Sequence, residues 1–140
     1  AEALLAGQTD LVANAANLSS LLFHSLDEVN WAGFYFLKGG RLIVGPFQGK
    51  PACVEIPLEK GVCGTAAETG KIQRVADVHE FEGHIACDAA SRSEIVLPLF
   101  RGGELLGVLD IDSPVPNRFG PVEESLLKEV AEVFLRSLDG

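Results

Sequence analysis

Three cysteines and three carboxylates are the residues of this chain best suited to chemistry. Cys53, Cys63 and Cys87 lie 10 and 24 residues apart. No Cys-x-x-Cys occurs, so a thioredoxin-type motif and paired zinc-ribbon ligands are excluded. His84 and Cys87, in "HIAC", have a spacing that metal sites use. With Cys53 and Cys63 they would complete a Cys₃His zinc set. The other readings are inert buried thiols or reactive ones. All three sit in or beside glycine-rich and polar segments, which favours reactivity.

The carboxylates are sorted by strand alternation. In "ELLGVLDID", Leu106, Val108, Asp110 and Asp112 fall on one face, and Leu105, Gly107, Leu109 and Ile111 on the other. The two aspartates then stand about 7 Å apart along the strand. "SEIVLPLF" precedes this strand and is joined to it by "RGG", a hairpin connection. Its Glu94 therefore comes near Asp110 and Asp112. A solvated strand end accounts for three acids. So does a cation site, for an ammonium group for example, in which like charges keep one member protonated. Trp31 and Tyr35 share a face of another strand, with Gly33 between them. They read as core, or as an aromatic pocket wall beside a glycine that leaves room for a ligand.

The elements that must position these groups follow from pattern. Apolar residues at Leu11, Ala15, Leu18, Leu22 and Leu26 predict an amphipathic helix with Thr9 or Asp10 as its cap. "WAGFYFL" and "RLIVGPF", split by "KGG", predict one hairpin, and "SEIVLPLF" and "ELLGVLDID" a second. Between them come a short strand "CVEIPL", a short helix "GVCGTAAETG", a strand "IQRVAD" and an irregular stretch over 77–92. A closing helix starts at Pro121, with Glu123 and Glu124 in its first turn. The sum is an α+β fold. A central, largely antiparallel sheet carries the terminal helices on one face and a loop-rich pocket on the other.

At 140 residues the chain reads as a single domain, 1–140, with 47% hydrophobic residues to form its core. Its 11 Lys and Arg against 20 Asp and Glu give a net charge of −9, which argues against nucleic acid or an anionic membrane as partner. No apolar run approaches the roughly 20 residues of a membrane span, and no signal-peptide pattern opens the sequence. The odd cysteine count fits a reducing compartment, the cytoplasm. No Ser–His–carboxylate set, P-loop or dinucleotide fingerprint is present.

Five stretches carry a resemblance: "TDLVANAANLSSLLFHSL", "NWAGFYFL", "LIVGPFQGKPACVEIPLEKGVCGTAAETG", "HIACDAASRSEIVLPL" and "GVLDIDSP". Together they resemble the free methionine-(R)-sulfoxide reductases, enzymes built on a GAF domain. The likeness spans about residues 9–136. "GPFQGKPAC", "GVCG" and "HIACD" followed by "SEIV" set it apart from generic GAF ligand sensors. It implies reduction of the free amino acid with thioredoxin as electron donor, no cofactor, no metal and a homodimer. It implies Cys87 as nucleophile, Cys53 as its resolving partner and Cys63 as a second resolving or exchanging thiol. Trp31 matches the residue packed on the substrate methyl group, and Glu94, Asp110 and Asp112 match substrate-binding carboxylates. Tyr35 joins Trp31 in the pocket wall. Sulfoxide reduction needs a thiolate to attack sulfur and an acid to protonate the departing oxygen. A second thiol must then trap the sulfenic acid before it over-oxidises. The alternatives are a non-catalytic GAF sensor of small ligands and a structural zinc site on the three cysteines.

Overall fold

Two pairs of glycines turn the chain back on itself and so build most of the sheet. The computed structural model describes residues 2–58, 60–81 and 91–139. Its elements are α1 (Glu2–Leu5), α2 (Leu11–Ser25), β1 (Trp31–Lys38), β2 (Arg41–Gly49), β3 (Glu55–Pro57), α3 (Gly61–Thr69), β4 (Gln73–Val75), a 3₁₀ turn (Val78–Glu80), β5 (Ser93–Arg101), β6 (Glu104–Ser113) and α4 (Pro121–Ser137). Gly39 and Gly40 (φ 60° and 78°) join β1 to β2; Gly102 and Gly103 (φ 61° and 82°) join β5 to β6. Two-residue hairpin loops of this kind need positive φ at both positions, which side chains resist.

The six strands lie in the order β3-β2-β1-β6-β5-β4, and every pair is antiparallel. The ends of the sequence therefore pair at its centre: β1 bonds to β6. Helices α2 and α4 cover one face. There Leu18, Leu22, Phe34, Ile95, Leu97, Leu109, Ile111 and Phe134 form the main core. Phe34 and Phe134 meet with ring centroids 4.7 Å apart. Asp10 caps α2 by accepting the Ala13 N–H at 2.8 Å, and the Glu123 carboxylate accepts the Gly120 N–H at 2.8 Å to start α4. Helix α3 lies on the opposite face. Val62, Cys63, Ala66 and Ala67 pack there with Trp31, Tyr35, Val96 and Val108. The two hairpins, the two short strands, the three longer helices and their two-faced arrangement are those expected; α1 and the 3₁₀ turn are additions, and residues 82–90 of the expected irregular stretch lie outside the described residues.

Strict alternation fails at two places, once in β2, where Gly33 faces Phe47 but Tyr35 faces Val44, and once in β6. Leu99 faces Gly107 while Phe100 faces Leu105, so β6 carries an extra residue, Leu106. The bulge reverses the faces of the residues before it. Leu105 packs in the α3-side cluster and Leu106 against the α2–α4 core, opposite to expectation. Beyond the bulge the alternation holds, which is why Asp110 and Asp112 fall where periodicity puts them. Gly107 sits at this irregularity because β1 passes very close. A Cβ there would collide with the Tyr35 carbonyl oxygen and lie 2.8 Å from the Phe36 Cα. Backbone cannot give way as a side-chain tip does. Gly107→Ala is expected to cost about 1–3 kcal/mol, read as a lower denaturant midpoint with an unchanged slope. A midpoint equal to that of the parent chain would show that the strands separate freely.

Candidate functional site

Pairing across four strands assembles the site on the α3 face. Trp31 of β1 lies opposite Asp112 of β6, Asp112 opposite Glu94 of β5, and Glu94 opposite Val75 of β4. One step along the strands, Gly33, Asp110, Val96 and Gln73 form the neighbouring row. Glu94 is thus the directly opposed neighbour of Asp112 and the diagonal neighbour of Asp110, within side-chain reach. Helix α3 roofs these rows, and a cleft between roof and sheet is lined by Trp31, Tyr35, Cys63, Glu94, Asp110 and Asp112. Six of the eight residues expected at the site therefore share one pocket. Of the other two, Cys53 is half-buried and disulfide-bonded, next to the lining residue Ala52. Cys87, with His84, lies outside the described residues.

The carboxylates are not a solvated strand end. Asp110 is 4% exposed and Glu94 8%. Burial drives both well above the ordinary carboxylate range. The next cause is the neighbouring carboxylate, Asp112 for Asp110 and Asp110 for Glu94. The Cys63 thiol donates to Asp110 Oδ2 at 3.3 Å, with Glu94 Oε2 at 3.9 Å from the same sulfur. Asp110 Oδ1 is buried and has no hydrogen-bond partner among the described residues beyond the adjoining carboxyls of Glu94 and Asp112. Such an atom needs a partner, and its residue lines the cleft.

The glycine-rich surroundings of Cys63 predict a reactive thiol. It stands instead in the first turn of α3, 4% exposed, and is a free thiol. Desolvation comes first, and the charges of Asp110, Glu94 and Asp112 add to it; together they hold the thiol protonated. Tyr35 is likewise kept a neutral phenol, by burial and then by Asp110. The Trp31 ring is fixed on three sides. Its Nε1–H donates to the Lys50 carbonyl at 3.2 Å, and it stacks with Phe47 (centroids 5.2 Å apart) and Tyr35 (5.7 Å). Gly33 does not leave room for a ligand. A Cβ on it would collide with Phe47 and lie 2.7 Å from the Phe47 Cα, so the glycine serves the close crossing of β2.

Sequence reasoning missed Lys60, Gly61 and Ser91, which also line the cleft. Gly61 opens α3 with φ 62°, a left-handed conformation that glycine adopts without strain. The signal was present in "EKGVCG", a lysine and a positive-φ residue at a helix start. It puts positive potential on the lining of the cleft that also holds the acids.

A GAF-domain family model matches residues 2–137. A relative from Escherichia coli K12, named free methionine-R-sulfoxide reductase, is 56% identical over 128 residues, covering 91% of this chain and 78% of that protein. The chain belongs to the GAF-domain free methionine-R-sulfoxide reductase family. A relative of the same name from Saccharomyces cerevisiae is 44% identical over 144 residues, covering 97% and 80% of the two chains. Among solved structures, the reduced form of Staphylococcus aureus fRMsr matches with a TM-score of 0.96 at 48% identity, covering 98% of this chain and 89% of that one. The Neisseria meningitidis free methionine-R-sulfoxide reductase in complex with its substrate matches at 0.95 and 40% identity, covering 99% and 83%. The family's fold is the curled six-stranded sheet with helices described above. No described helix is long and apolar enough to cross a membrane.

Proposed function

We propose that this chain reduces free L-methionine (R)-sulfoxide to methionine, with the cleft under α3 as its active site. The observation that carries the reading is the buried acid cluster, with Asp110 Oδ1 left unpartnered in a cleft walled by Trp31 and Tyr35. A free amino acid brings an ammonium group that satisfies this atom. Lys60 and the first turn of α3 also line the cleft and are suited to meet the amino acid's carboxylate. The side chain then lies along the Trp31–Tyr35 wall. Relatives that bear the name of this activity, one of them solved with its substrate, support the assignment.

In the proposed chemistry the Cys87 thiolate attacks the sulfoxide sulfur. The S–O bond breaks as the oxygen is protonated, and oxygen passes to Cys87 as a sulfenic acid while methionine is released. Glu94 or Asp110, held neutral by burial, is suited to deliver that proton. The Cys53 thiol then attacks the sulfenic sulfur, water leaves, and a disulfide forms. The disulfide at Cys53 supports its role as resolving thiol. The buried, protonated state of Cys63 favours a part in exchange after that step. A dithiol protein, thioredoxin, returns the two electrons in the cytoplasm, where thiols are kept reduced. The working unit is a homodimer.

Thiol counting tests the reading. The reduced chain treated with free methionine (R)-sulfoxide, without reductant, should lose two thiols for each methionine released. No thiol loss would turn the assignment toward a non-catalytic GAF sensor. Selectivity follows from the acid cluster. N-acetylmethionine (R)-sulfoxide lacks the cation, so its kcat/KM should fall at least about a hundredfold, because a buried acceptor is left unpaired. Equal kcat/KM for the two substrates would remove the cluster from recognition.

A further inference from the structure

Cys63, Glu94 and Asp110 each offer a ligand atom, and these three atoms all lie within 4.8 Å of one another. The Cys63 sulfur stands 3.3 Å from Asp110 Oδ2 and 3.9 Å from Glu94 Oε2. Tetrahedral zinc has Zn–S near 2.3 Å and Zn–O near 2.0–2.2 Å, which sets an S···O edge of about 3.5 Å. The two observed separations bracket that edge. A thiol and two carboxyls hydrogen-bonded in this way need little rearrangement to become three ligands of one ion. The buried, unpartnered Asp110 Oδ1 is an independent sign that a cation belongs against this side chain. A fourth direction opens to the cleft, where Asp112 stands half-buried. Three protein ligands with one open position make an exchangeable site rather than a closed structural one.

We propose that Cys63, Glu94 and Asp110 bind a thiophilic divalent cation, Zn²⁺ or Cd²⁺, which occupies the place of the substrate ammonium and blocks the cleft. The thiol proton, and any proton on the two carboxyls, leaves to solvent as the metal binds. One sulfur among few ligands selects against Mg²⁺ and Ca²⁺, which need six or more oxygens. The blocking rests on the reading of the cleft as an amino-acid site; the metal binding does not. This site is distinct from a zinc set built on all three cysteines, since it uses one.

The chain contains no methionine, so in the Cys53→Ser/Cys87→Ser variant Cys63 is its sole sulfur. Cd²⁺ added to that variant in a thiol-free buffer should raise a sulfur-to-cadmium charge-transfer band that saturates at one equivalent. Absence of the band overturns the proposal. Asp110→Asn in the same background keeps the thiol and should weaken the cadmium midpoint at least about a hundredfold, since losing even an outer-shell partner costs 10–100-fold. An unchanged midpoint would mean that a thiol alone captures the metal, and the site falls. L-methionine at saturating concentration should raise the midpoint in the parent double variant. A band that forms but ignores methionine refutes the blocking. Thiol loss on sulfoxide treatment, measured separately on the unsubstituted chain with a chelator, reports on the reductase reading whatever the metal does.

Discussion

Cys87→Ser should abolish turnover of free methionine (R)-sulfoxide, lowering kcat/KM by at least about 10⁴-fold, or roughly 5.5 kcal/mol of transition-state stabilisation. The reason is chemical. A serine hydroxyl is almost wholly protonated at neutral pH, attacks sulfur poorly, and has no sulfenic stage from which a disulfide can form. Cys53→Ser provides the contrast. It leaves the attack intact and removes the trap, so about one methionine should be released per chain before turnover with thioredoxin stalls. The two variants together separate attack from resolution. Cys87→Ser with near-normal turnover would move the nucleophile to another cysteine. A full single-turnover yield lost in Cys53→Ser would give Cys53 the attacking role. Cys63→Ser is less informative on this point, because Cys63 also donates the hydrogen bond that orients Asp110.

Strand alternation makes most of the pocket legible in the sequence. Asp110, Asp112 and Glu94 are placed by a period of two and a glycine hairpin, both local signals. Trp31 and Tyr35 follow from the same period on β1. What periodicity does not carry is a change of period. The extra residue at Leu106 swaps Leu105 and Leu106 between faces, and nothing in "GELLGVLD" marks a bulge apart from Gly107. The burial of Cys63 is hidden for a related reason. "GVCGTAAETG" is a helix in sequence, but which of its faces meets the sheet is decided by the long-range packing of α3 over β5 and β6. The roles of the cysteines are not legible from residue chemistry at all. Spacings of 10 and 24 residues exclude some motifs and identify none. Gly33 misleads because the same residue type serves a ligand or a crossing strand, and only β2 decides which.

Asp110→Asn should make the protein worse at its reaction and more stable at neutral pH. Asp110 touches the buried thiol, faces Glu94 and Asp112, and lies near the Tyr35 phenol. Its carboxyl is held well above the ordinary range by burial and by Asp112. In the unfolded chain the same group ionises near pH 3.9. A carboxyl whose folded pKa is raised contributes stability that is fully present below the unfolded value and is lost as pH rises through the folded one. Between about pH 4 and neutrality the cluster therefore weakens the fold progressively. An amide keeps the shape, still accepts from the Cys63 thiol, and carries no charge to bury. The variant should melt a few degrees above the parent at pH 7, where 1 kcal/mol is worth roughly 4 °C in a chain of this size, and the gap should close toward pH 4. Its kcat/KM for free methionine (R)-sulfoxide should fall about 10–100-fold, the worth of a charged hydrogen bond to the substrate ammonium. Melting curves across pH and steady-state kinetics on the same preparations check both halves. A loss of stability that is the same at every pH, with unchanged kcat/KM, would make Asp110 a packing residue and leave the cluster without a functional reason. The opposite signs of the two effects are the stronger argument. A side chain kept at a cost to the fold, and beneficial only when a cation enters the cleft, is best explained by the ligand it binds.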